Sequence, residues 1–321
     1  MTERRALITT PWLDSGCRAE LALRAAGFAV EYAPSLATAP GAHTFDAMIA
    51  GTEPVDADAI ARAERLRIIV RTGVGYDNVD LAQAHAQGVA VCTTPGANRM
   101  SVAELVLGMI FDCARDISGN VASVRKGEWD RGSGTEIAGS VLGVVGLGSI
   151  GKAVASLARA VGMTVVATDP NRDDSLGIEY LPLESLLREA DFVTLHVALT
   201  PETQHLINAR TLRLMKPTSY LINTSRGGVV DEQALAEAVH SGVIAGAALD
   251  VLTREPLQRD DPLAGVDGVR ITAHIGGATV QSRERSAESA VDQIIGFFAG
   301  TTPVGLVAPE PTEVPSLGGV T

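Results

Sequence analysis

Residues 140–169 read SVLGVVGLGSIGKAVASLARAVGMTVVATD, and this stretch decides the fold. An apolar run ends at a glycine-rich turn, an alanine-rich amphipathic helix follows, and a second apolar run closes on Asp169. At the turn, Gly146, Gly148 and Gly151 stand in the GxGxxG arrangement. The first glycine permits a tight turn, the second lets the backbone approach a phosphate, and the third lets helix and strand pack closely. The stretch therefore predicts a strand–helix–strand unit that binds a dinucleotide.

Asp169 bears on which dinucleotide is bound. The GxGxxG pattern alone is a weak signal, because glycines at such a turn also serve packing alone. A carboxylate about 20 residues after the turn accepts hydrogen bonds from the ribose hydroxyls of adenosine and repels a 2′-phosphate. We therefore predict NAD as the cofactor, in preference to NADP. Arg172 would soften this preference if it faced the ribose, whereas a solvated loop charge is its simpler interpretation.

The alternation of strand and helix patterns extends through most of the chain. Short runs rich in valine and isoleucine alternate with alanine-rich helical patterns, which is typical of parallel sheets covered by helices on both faces. Pro95 and Gly96 interrupt the series before a long helix that is predicted to begin near Ser101, spaced from Glu104 as in a capping box. A break near Ala97 therefore divides an α/β fold into two doubly wound parallel-sheet domains.

Length and composition exclude several classes of protein. The 321 residues are enough for two domains that each bury a core. A net charge of −12 with scattered basic residues predicts no nucleic-acid partner and no anionic membrane partner. The apolar runs are far shorter than the roughly 20 residues of a bilayer span, and the N-terminus lacks a signal-peptide core, so we expect a cytoplasmic protein. The three cysteines are far apart and lack metal-ligand spacing, so no metal site is predicted.

Three polar residues, Arg226, Glu255 and His274, follow the later apolar runs. Each stands where a parallel strand ends, the edge at which doubly wound sheets bind ligands. Taken singly, each has a structural interpretation as a surface charge, a turn residue before Pro256 or a hydrogen-bonded histidine. As an ordered set after a dinucleotide turn they favour catalysis, because oxidising a hydroxyl group needs a base of near-neutral pKa, such as imidazole. A guanidinium adds two-pronged recognition of a carboxylate.

Five segments carry a resemblance to a known family. They are RTGVGYDNVD at 71–80, GTEIAGSVLGVVGLGSIG at 134–151, NTSRGGVVDEQAL at 223–235, GAALDVLTREP at 246–256 and AHIGGAT at 273–279. In these segments, and in their order and spacing over nearly the whole chain, the sequence resembles the D-2-hydroxyacid dehydrogenase family, nearest to its D-3-phosphoglycerate dehydrogenase branch in the short form without a regulatory domain.

The resemblance implies a domain arrangement and an assembly. A Rossmann NAD domain, residues 98–288, would be inserted into a flavodoxin-like substrate domain formed by residues 1–97 and about 289–321, with the active site in the cleft. The last helix is predicted over about 279–299. A homodimer joined through the NAD domain is also expected, with the apolar helix SVAELVLGMIFDCARDI at 101–117 as the candidate interface.

The resemblance also implies the roles of individual residues. Arg226 would hold the substrate carboxylate and C2 oxygen, His274 would exchange the hydroxyl proton, and Glu255 would pair with His274. The residues expected to contact the cofactor are Gly146, Gly148, Ser149, Ile150, Gly151, Asp169, Val197, Thr224, Ser225, Arg226, Asp250, His274, Gly276 and Gly277. The residues expected to bind the 2-hydroxy or 2-keto acid are Arg71, Val74, Gly75, Arg226 and His274.

The substrate assignment is open because the match departs from one branch of the family. Phosphoglycerate dehydrogenases commonly carry an arginine for the substrate phosphate where this chain has Gly51. A D-2-hydroxy acid like 3-phosphoglycerate is therefore one candidate, and glyoxylate, hydroxypyruvate or a phosphonate analogue is the alternative. A regulatory protein that senses NAD is an alternative of another class.

Overall fold

The computed structural model describes residues 3–129 and 131–307, which divide into two compact units. Among the described residues, unit 1 comprises 3–98 and 280–307, and unit 2 comprises 99–129 and 131–279. The boundary expected near residue 289 falls inside the last helix, and in the structure this whole helix belongs to unit 1. The part of the predicted substrate domain beyond residue 307 lies outside the described residues.

The strands and helices alternate along the chain as the sequence predicts. The strands are β1 (Arg4–Ile8), β2 (Phe28–Tyr32), β3 (Ala47–Ala50), β4 (Ile68–Arg71), β5 (Ala90–Cys92), β6 (Val141–Val145), β7 (Thr164–Thr168), β8 (Glu179–Tyr180), β9 (Phe192–Leu195), β10 (Tyr220–Asn223), β11 (Gly246–Leu249) and β12 (Val269–Ile271). The α-helices are α1 (Arg18–Ala25), α2 (Ala57–Arg62), α3 (Leu81–Ala86), α4 (Arg99–Arg115), α5 (Ile117–Arg125), α6 (Ser149–Ala160), α7 (Leu183–Glu189), α8 (Ala209–Leu212), α9 (Glu232–His240) and α10 (Val280–Phe298).

Unit 1 is built on a parallel sheet in the order β2-β1-β3-β4-β5. Alternate residues of β4 point to opposite faces: Ile68 and Val70 join a core with α1 and α10, whereas Ile69 joins a core with α2 and α3. All three side chains are fully buried. Because helices cover both faces, the strand is apolar at every one of these positions rather than at alternate ones.

Unit 2 contains a parallel sheet in the order β12-β11-β10-β9-β6-β7-β8. The chain runs outward from β6 to β8 on one side, then returns to β9 and runs outward to β12 on the other. The order therefore reverses between β6 and β9, and ligands of open α/β sheets bind in the crevice at such a reversal. The predicted α/β class with two doubly wound parallel sheets, one of them a Rossmann domain, is confirmed.

Two helices test the sequence-based boundaries. The last helix is Val280–Phe298, within one residue of the prediction at each end. The capping box predicted at Ser101 is wrong, because α4 begins earlier, at Arg99. Ser101 is therefore inside the first turn, where its hydroxyl is 2.7 Å from the Oγ1 atom of Thr279. Within residues 3–129 and 131–307, no helix is long and apolar enough to cross a membrane.

Candidate active site

The three residues singled out near the sheet edge follow three neighbouring strands of unit 2. Arg226 comes after β10, Glu255 after β11 and His274 after β12, and these strands pair in parallel in that order. Because parallel strands end at the same edge of a sheet, the loops that carry the three side chains emerge side by side. The crevice formed by the reversal of strand order between β6 and β9 opens at this same carboxyl edge.

His274 and Glu255 form a hydrogen-bonded pair. The Nδ1 atom of His274 lies 2.9 Å from the Oε2 atom of Glu255, and the other carboxylate oxygen accepts a bond of 3.0 Å from the backbone N–H of Leu252. The two side chains are 35% and 39% exposed, so a small molecule can reach them. Since the carboxylate occupies Nδ1, the imidazole presents Nε2 as the nitrogen for proton exchange.

Asp250 holds the loop that presents His274. Its carboxylate is 2% exposed and accepts three hydrogen bonds: 2.5 Å from the hydroxyl of Thr272, 2.8 Å from the N–H of Ile275 and 2.7 Å from the N–H of Gly276. These partners lie on both sides of His274, which has a left-handed backbone with φ of 51°. That conformation costs a residue with a side chain about 1–2 kcal/mol, and hydrogen bonds to a buried carboxylate offset it.

This geometry refines the expectation for Asp250, which the sequence placed among the cofactor contacts. Both carboxylate oxygens of Asp250 accept hydrogen bonds from the loop after β12, and these bonds position His274 and Gly276. Sequence reasoning missed this role. The available signal was an acidic residue directly after the apolar strand β11, because a carboxylate buried there needs donors from a neighbouring loop.

Arg226 sits in a loop fixed by Asn223, another residue that the sequence analysis missed. The side-chain amide of Asn223 donates to the carbonyl of Arg226 at 2.9 Å, and its oxygen accepts from the N–H and hydroxyl of Ser225 at 3.0 and 2.7 Å. The next residue, Gly227, packs so closely on the loop after β11 that a Cβ atom there would lie 2.0 Å from the carbonyl carbon of Leu252. The loop that carries Arg226 is thus packed against the one that carries Glu255.

The glycine turn has the form that a pyrophosphate requires. Gly146 has a φ of 91°, and a Cβ atom there would lie 2.7 Å from the carbonyl oxygen of His196. A Cβ atom at Gly151 would lie 2.1 Å from the carbonyl oxygen of Gly146. At Gly148, which precedes α6, no atom lies within 4 Å of such a Cβ. The N-terminus of α6, with Ser149 and Ile150, is therefore approachable by an anion.

The other predicted cofactor residues in unit 2 line the same edge of the sheet. Asp169 accepts bonds from the N–H groups of Leu147, at 2.6 Å, and Asn171, at 2.7 Å, which fixes its carboxylate beside the glycine turn. Val197 follows β9 and is half-buried. The hydroxyl of Thr224, after β10, is buried with no hydrogen-bond partner within the described residues. An unsatisfied polar atom at this edge, together with an open glycine turn, fits a dinucleotide.

Two cations near Asp169 have partners of their own. The guanidinium of Arg172 stacks over the ring of Tyr180 at 5.6 Å, and the ammonium of Lys152 bonds to Asp173 at 2.8 Å. The hydrogen bond to Asp173 raises the pKa of Lys152. Stacking on Tyr180 is a third interpretation of Arg172, which the sequence analysis did not consider.

His196 is a second histidine at the carboxyl edge of this sheet, after β9. Burial lowers its pKa to about 3, and its Nε2 atom lies 3.0 Å from the hydroxyl of Thr194. A histidine with so low a pKa is neutral at physiological pH. This distinguishes it from the exposed pair of His274 and Glu255.

The predicted substrate residues of the other domain lie at the end of β4 in unit 1. Arg71 is 8% exposed and donates to the carbonyl of Thr72 at 3.1 Å. The absence of a side chain at Gly73 makes room for it, since a Cβ there would lie 1.5 Å from its Nη1 atom. Val74, at 39% exposure, and Gly75 follow in the same loop.

Comparison with known proteins gives a consistent family. Residues 107–276 match the family described as D-isomer specific 2-hydroxyacid dehydrogenase, NAD binding domain. A glyoxylate reductase of Korarchaeum cryptofilum is 41% identical over 273 residues, 82% of each chain. A D-3-phosphoglycerate dehydrogenase of Methanocaldococcus jannaschii is 42% identical over 77% of this chain and 48% of its own length. A D-lactate dehydrogenase from Aquifex aeolicus, crystallised with NAD and lactic acid, superposes with a TM-score of 0.85 at 29% identity, over 96% of this chain and 100% of that chain.

The role of Asp250 predicts a local loss of protection in Asp250→Asn. The amide keeps one acceptor oxygen but cannot accept on its nitrogen, so a backbone N–H of Ile275 or Gly276 loses its partner. That loss is worth about 1–3 kcal/mol, so amide hydrogen exchange over 272–276 should accelerate about 5- to 150-fold. The matched control is Asp261→Asn, whose carboxylate accepts from the N–H of Leu263 at 2.9 Å and which should change exchange only locally. Unaltered exchange over 272–276 in Asp250→Asn would contradict the assignment.

Proposed function

The chain belongs to the D-isomer specific 2-hydroxyacid dehydrogenase family, and we propose that its site reduces short 2-keto acids such as glyoxylate and hydroxypyruvate. It is an NAD-dependent oxidoreductase that acts on the CH–OH group of D-2-hydroxy acids. The observation that carries the proposal is the His274–Glu255 pair of 2.9 Å, exposed at the sheet edge beside the loop of Arg226. The glyoxylate reductase and the phosphoglycerate dehydrogenase are 41% and 42% identical to the chain. Sequence identity therefore does not choose between their substrates.

His274 and Glu255 handle the proton of the reaction. NADH, held at the glycine turn before α6, would supply the hydride that reduction of C2 requires. The C2 oxygen then needs a proton, which the Nε2 atom of a protonated His274 donates as general acid. Glu255 accepts the Nδ1–H and fixes the orientation of the ring during that transfer. In the oxidising direction the same nitrogen removes the hydroxyl proton.

Arg226 orients the substrate. A planar guanidinium can donate one hydrogen bond to the carboxylate and another to the C2 oxygen, and a lysine lacks this geometry. Because the C2 oxygen gains negative charge during reduction, the second bond strengthens toward the transition state. The substrate-binding roles of Arg71, Val74 and Gly75 remain predictions, as do a cytoplasmic location and the lack of nucleic-acid or membrane partners.

A panel of acids assayed by NADH absorbance tests the proposed function. Glyoxylate, hydroxypyruvate, pyruvate and phosphohydroxypyruvate cover the short acids, with and without phosphate. We expect turnover of glyoxylate or hydroxypyruvate. A regulatory NAD sensor would instead bind NADH without consuming it in the presence of any of these acids, and that result would overturn the proposal.

The separate roles of His274 and Arg226 predict different kinetic losses when each is replaced. His274→Ala should lower kcat by about 10²- to 10⁴-fold while NADH binding is kept, because a general acid is lost. Arg226→Lys should raise KM and lower kcat together, because the charge remains but the paired geometry does not. Matched controls are His240→Ala, at the exposed end of α9, and Arg254→Lys, paired with Asp260; both should keep wild-type kinetics. Wild-type turnover in His274→Ala at every pH would return His274 to a structural role.

Asp169 predicts that NADH is used better than NADPH. Asp169→Ala should lower the ratio of kcat/KM with NADH to kcat/KM with NADPH by about tenfold or more. The change removes repulsion of the 2′-phosphate of NADPH and also removes an acceptor for the ribose hydroxyls of NADH. Asp174→Ala removes an exposed carboxylate of the same loop region and should keep the ratio. Equal kcat/KM for both cofactors in the wild type would refute the preference.

We also propose a homodimer joined through unit 2. Nine of the 17 residues of α4 are buried within the chain, so an interface formed by this helix would use the side that these residues leave exposed. An apolar strip remains exposed on its end and on α5: Phe111, Ile117, Val121 and Val124 are 38–50% exposed, and Trp129 beyond them is 76% exposed. Contiguous exposed apolar side chains of this kind are typical of association surfaces.

Light scattering tests the dimer. The wild type at micromolar concentration should have about twice the chain mass of 33.3 kDa. Val121→Glu places a charge in the strip and should shift the mass toward one chain, whereas Leu199→Glu, at a 42% exposed leucine elsewhere in unit 2, should not. A wild type with the mass of a single chain would contradict the proposal.

A further inference from the structure

Arg172 lies in the loop that joins β7 to β8, three residues after Asp169. An arginine in this region of a dinucleotide-binding fold accommodates the 2′-phosphate of NADP, whereas an acidic residue favours NAD. This chain has both kinds of residue there. The guanidinium of Arg172, however, stacks over the ring of Tyr180, at 5.6 Å from the ring centroid. The cation suited to a 2′-phosphate is thus engaged by an aromatic side chain.

The ring of Tyr180 is a fixed surface beside this loop. Tyr180 belongs to β8 and pairs in register with Ala167 of β7, the strand that ends just before Asp169. Its side chain is half-buried and packs against the core that α6 shares with β6 and β7. The ring therefore lies on the face of the sheet that is covered by α6, the helix that follows the glycine turn.

Three contacts hold the loop that carries Arg172 against α6 and Tyr180. The N–H of Asp173 donates to the hydroxyl of Tyr180 at 2.9 Å. The carboxylate of Asp173 pairs with the ammonium of Lys152, in the first turn of α6, at 2.8 Å. Further along the loop, the guanidinium of Arg159 donates to the carbonyl of Leu176 at 2.8 Å. The backbone that follows Arg172 is thus anchored on the ring that its guanidinium covers.

The stack opposes NADPH without affecting NADH. Arg172 is exposed, and a cation–π contact at an exposed site changes an equilibrium constant by about two- to fivefold. A guanidinium that binds the 2′-phosphate of NADPH has to give up this contact first. NADH has a hydroxyl in place of that phosphate and makes no such demand. The cost of releasing Arg172 therefore adds to the repulsion that Asp169 exerts on the phosphate.

We propose that Tyr180 is a positioning residue for cofactor selection, because its ring engages the guanidinium of Arg172 that the 2′-phosphate of NADPH would otherwise bind. This inference rests on the proposed preference for NADH and gives that preference a second cause besides the charge of Asp169. It assigns the selecting property to the ring of Tyr180, whereas the phenolic hydroxyl only supports the loop through the N–H of Asp173.

The test measures binding of the two cofactors without turnover. Titration of the full chain, followed by nicotinamide fluorescence, gives the Kd of NADH and the Kd of NADPH, which differ only in the 2′-phosphate. Tyr180→Leu should lower the ratio of the Kd of NADPH to the Kd of NADH by about two- to fivefold, because Arg172 loses its stacking partner. The change should come from tighter binding of NADPH, while the Kd of NADH stays near the wild-type value.

Three further variants separate the ring from other effects. Tyr180→Phe keeps the aromatic face and should keep the wild-type ratio. Phe298→Leu is the matched control, because it removes a ring that a guanidinium covers in unit 1, that of Arg4 at 4.6 Å, and it should also keep the ratio. Arg172→Ala should leave the ratio unchanged in the wild type, but should abolish the gain when combined with Tyr180→Leu. A merely structural role of Tyr180 would weaken both cofactors and would not depend on Arg172.

The outcomes separate this inference from the preference on which it rests. An unchanged ratio in Tyr180→Leu, the same fall in Tyr180→Phe or Phe298→Leu, or a gain that persists without Arg172 would each overturn the role of Tyr180, while the wild type still prefers NADH. Equal Kd values in the wild type would overturn the preference itself, and its second cause with it. Arg172→Ala alters an exposed side chain and serves if Tyr180→Leu fails to fold: weaker binding of NADPH in that variant would show that Arg172 already binds the phosphate, and would overturn the proposal.

Discussion

The chemistry of unit 2 depends on one constraint. Because its central strands are buried on both faces, charged and polar side chains are placed at the ends of the strands. β10 and β11 are buried at nearly every position, and a charged side chain within them would lose its hydration without compensation. Because the strands are parallel, all carboxyl ends meet at one edge, and the reversal of strand order opens a crevice there. The glycine turn before α6, His274 and Arg226 thus share one edge of the sheet, and none of them interrupts the core.

The buried carboxylate of Asp250 shows how that edge is made rigid. Its three donors come from the loop after β12, so a residue at the end of β11 sets the backbone on both sides of His274. Glu255, on the loop after β11, then fixes the imidazole through Nδ1. Backbone and ring are therefore held from the same neighbouring strand. This arrangement holds the left-handed φ of His274 in place and leaves Nε2 as the ring nitrogen that Glu255 does not engage.

The sequence predicted the architecture well because the fold depends on signals that are local and periodic. Apolar runs, the glycine turn and Asp169 need only their own neighbours to be interpreted, and the strand order and the last helix agree with them. The capping box at Ser101 failed because α4 begins at Arg99, and the hydroxyl of Ser101 lies instead beside that of Thr279, 178 residues away in the sequence. The role of Asp250 was missed for the same reason, since its donors lie 22 to 26 residues away in the sequence. Asn223 is different, because it holds Ser225 and Arg226 within its own loop, and an asparagine at the end of a strand does not by itself indicate that role.

Gly51 illustrates how the meaning of a residue changes once its surroundings are known. In the sequence, Gly51 stands where phosphoglycerate dehydrogenases commonly carry an arginine. Without that cation, the sequence does not decide whether the substrate carries a phosphate. In the structure the N–H of Gly51 donates to the carboxylate of Glu53 at 3.0 Å, so an acidic side chain, and not a basic one, lies beside this position.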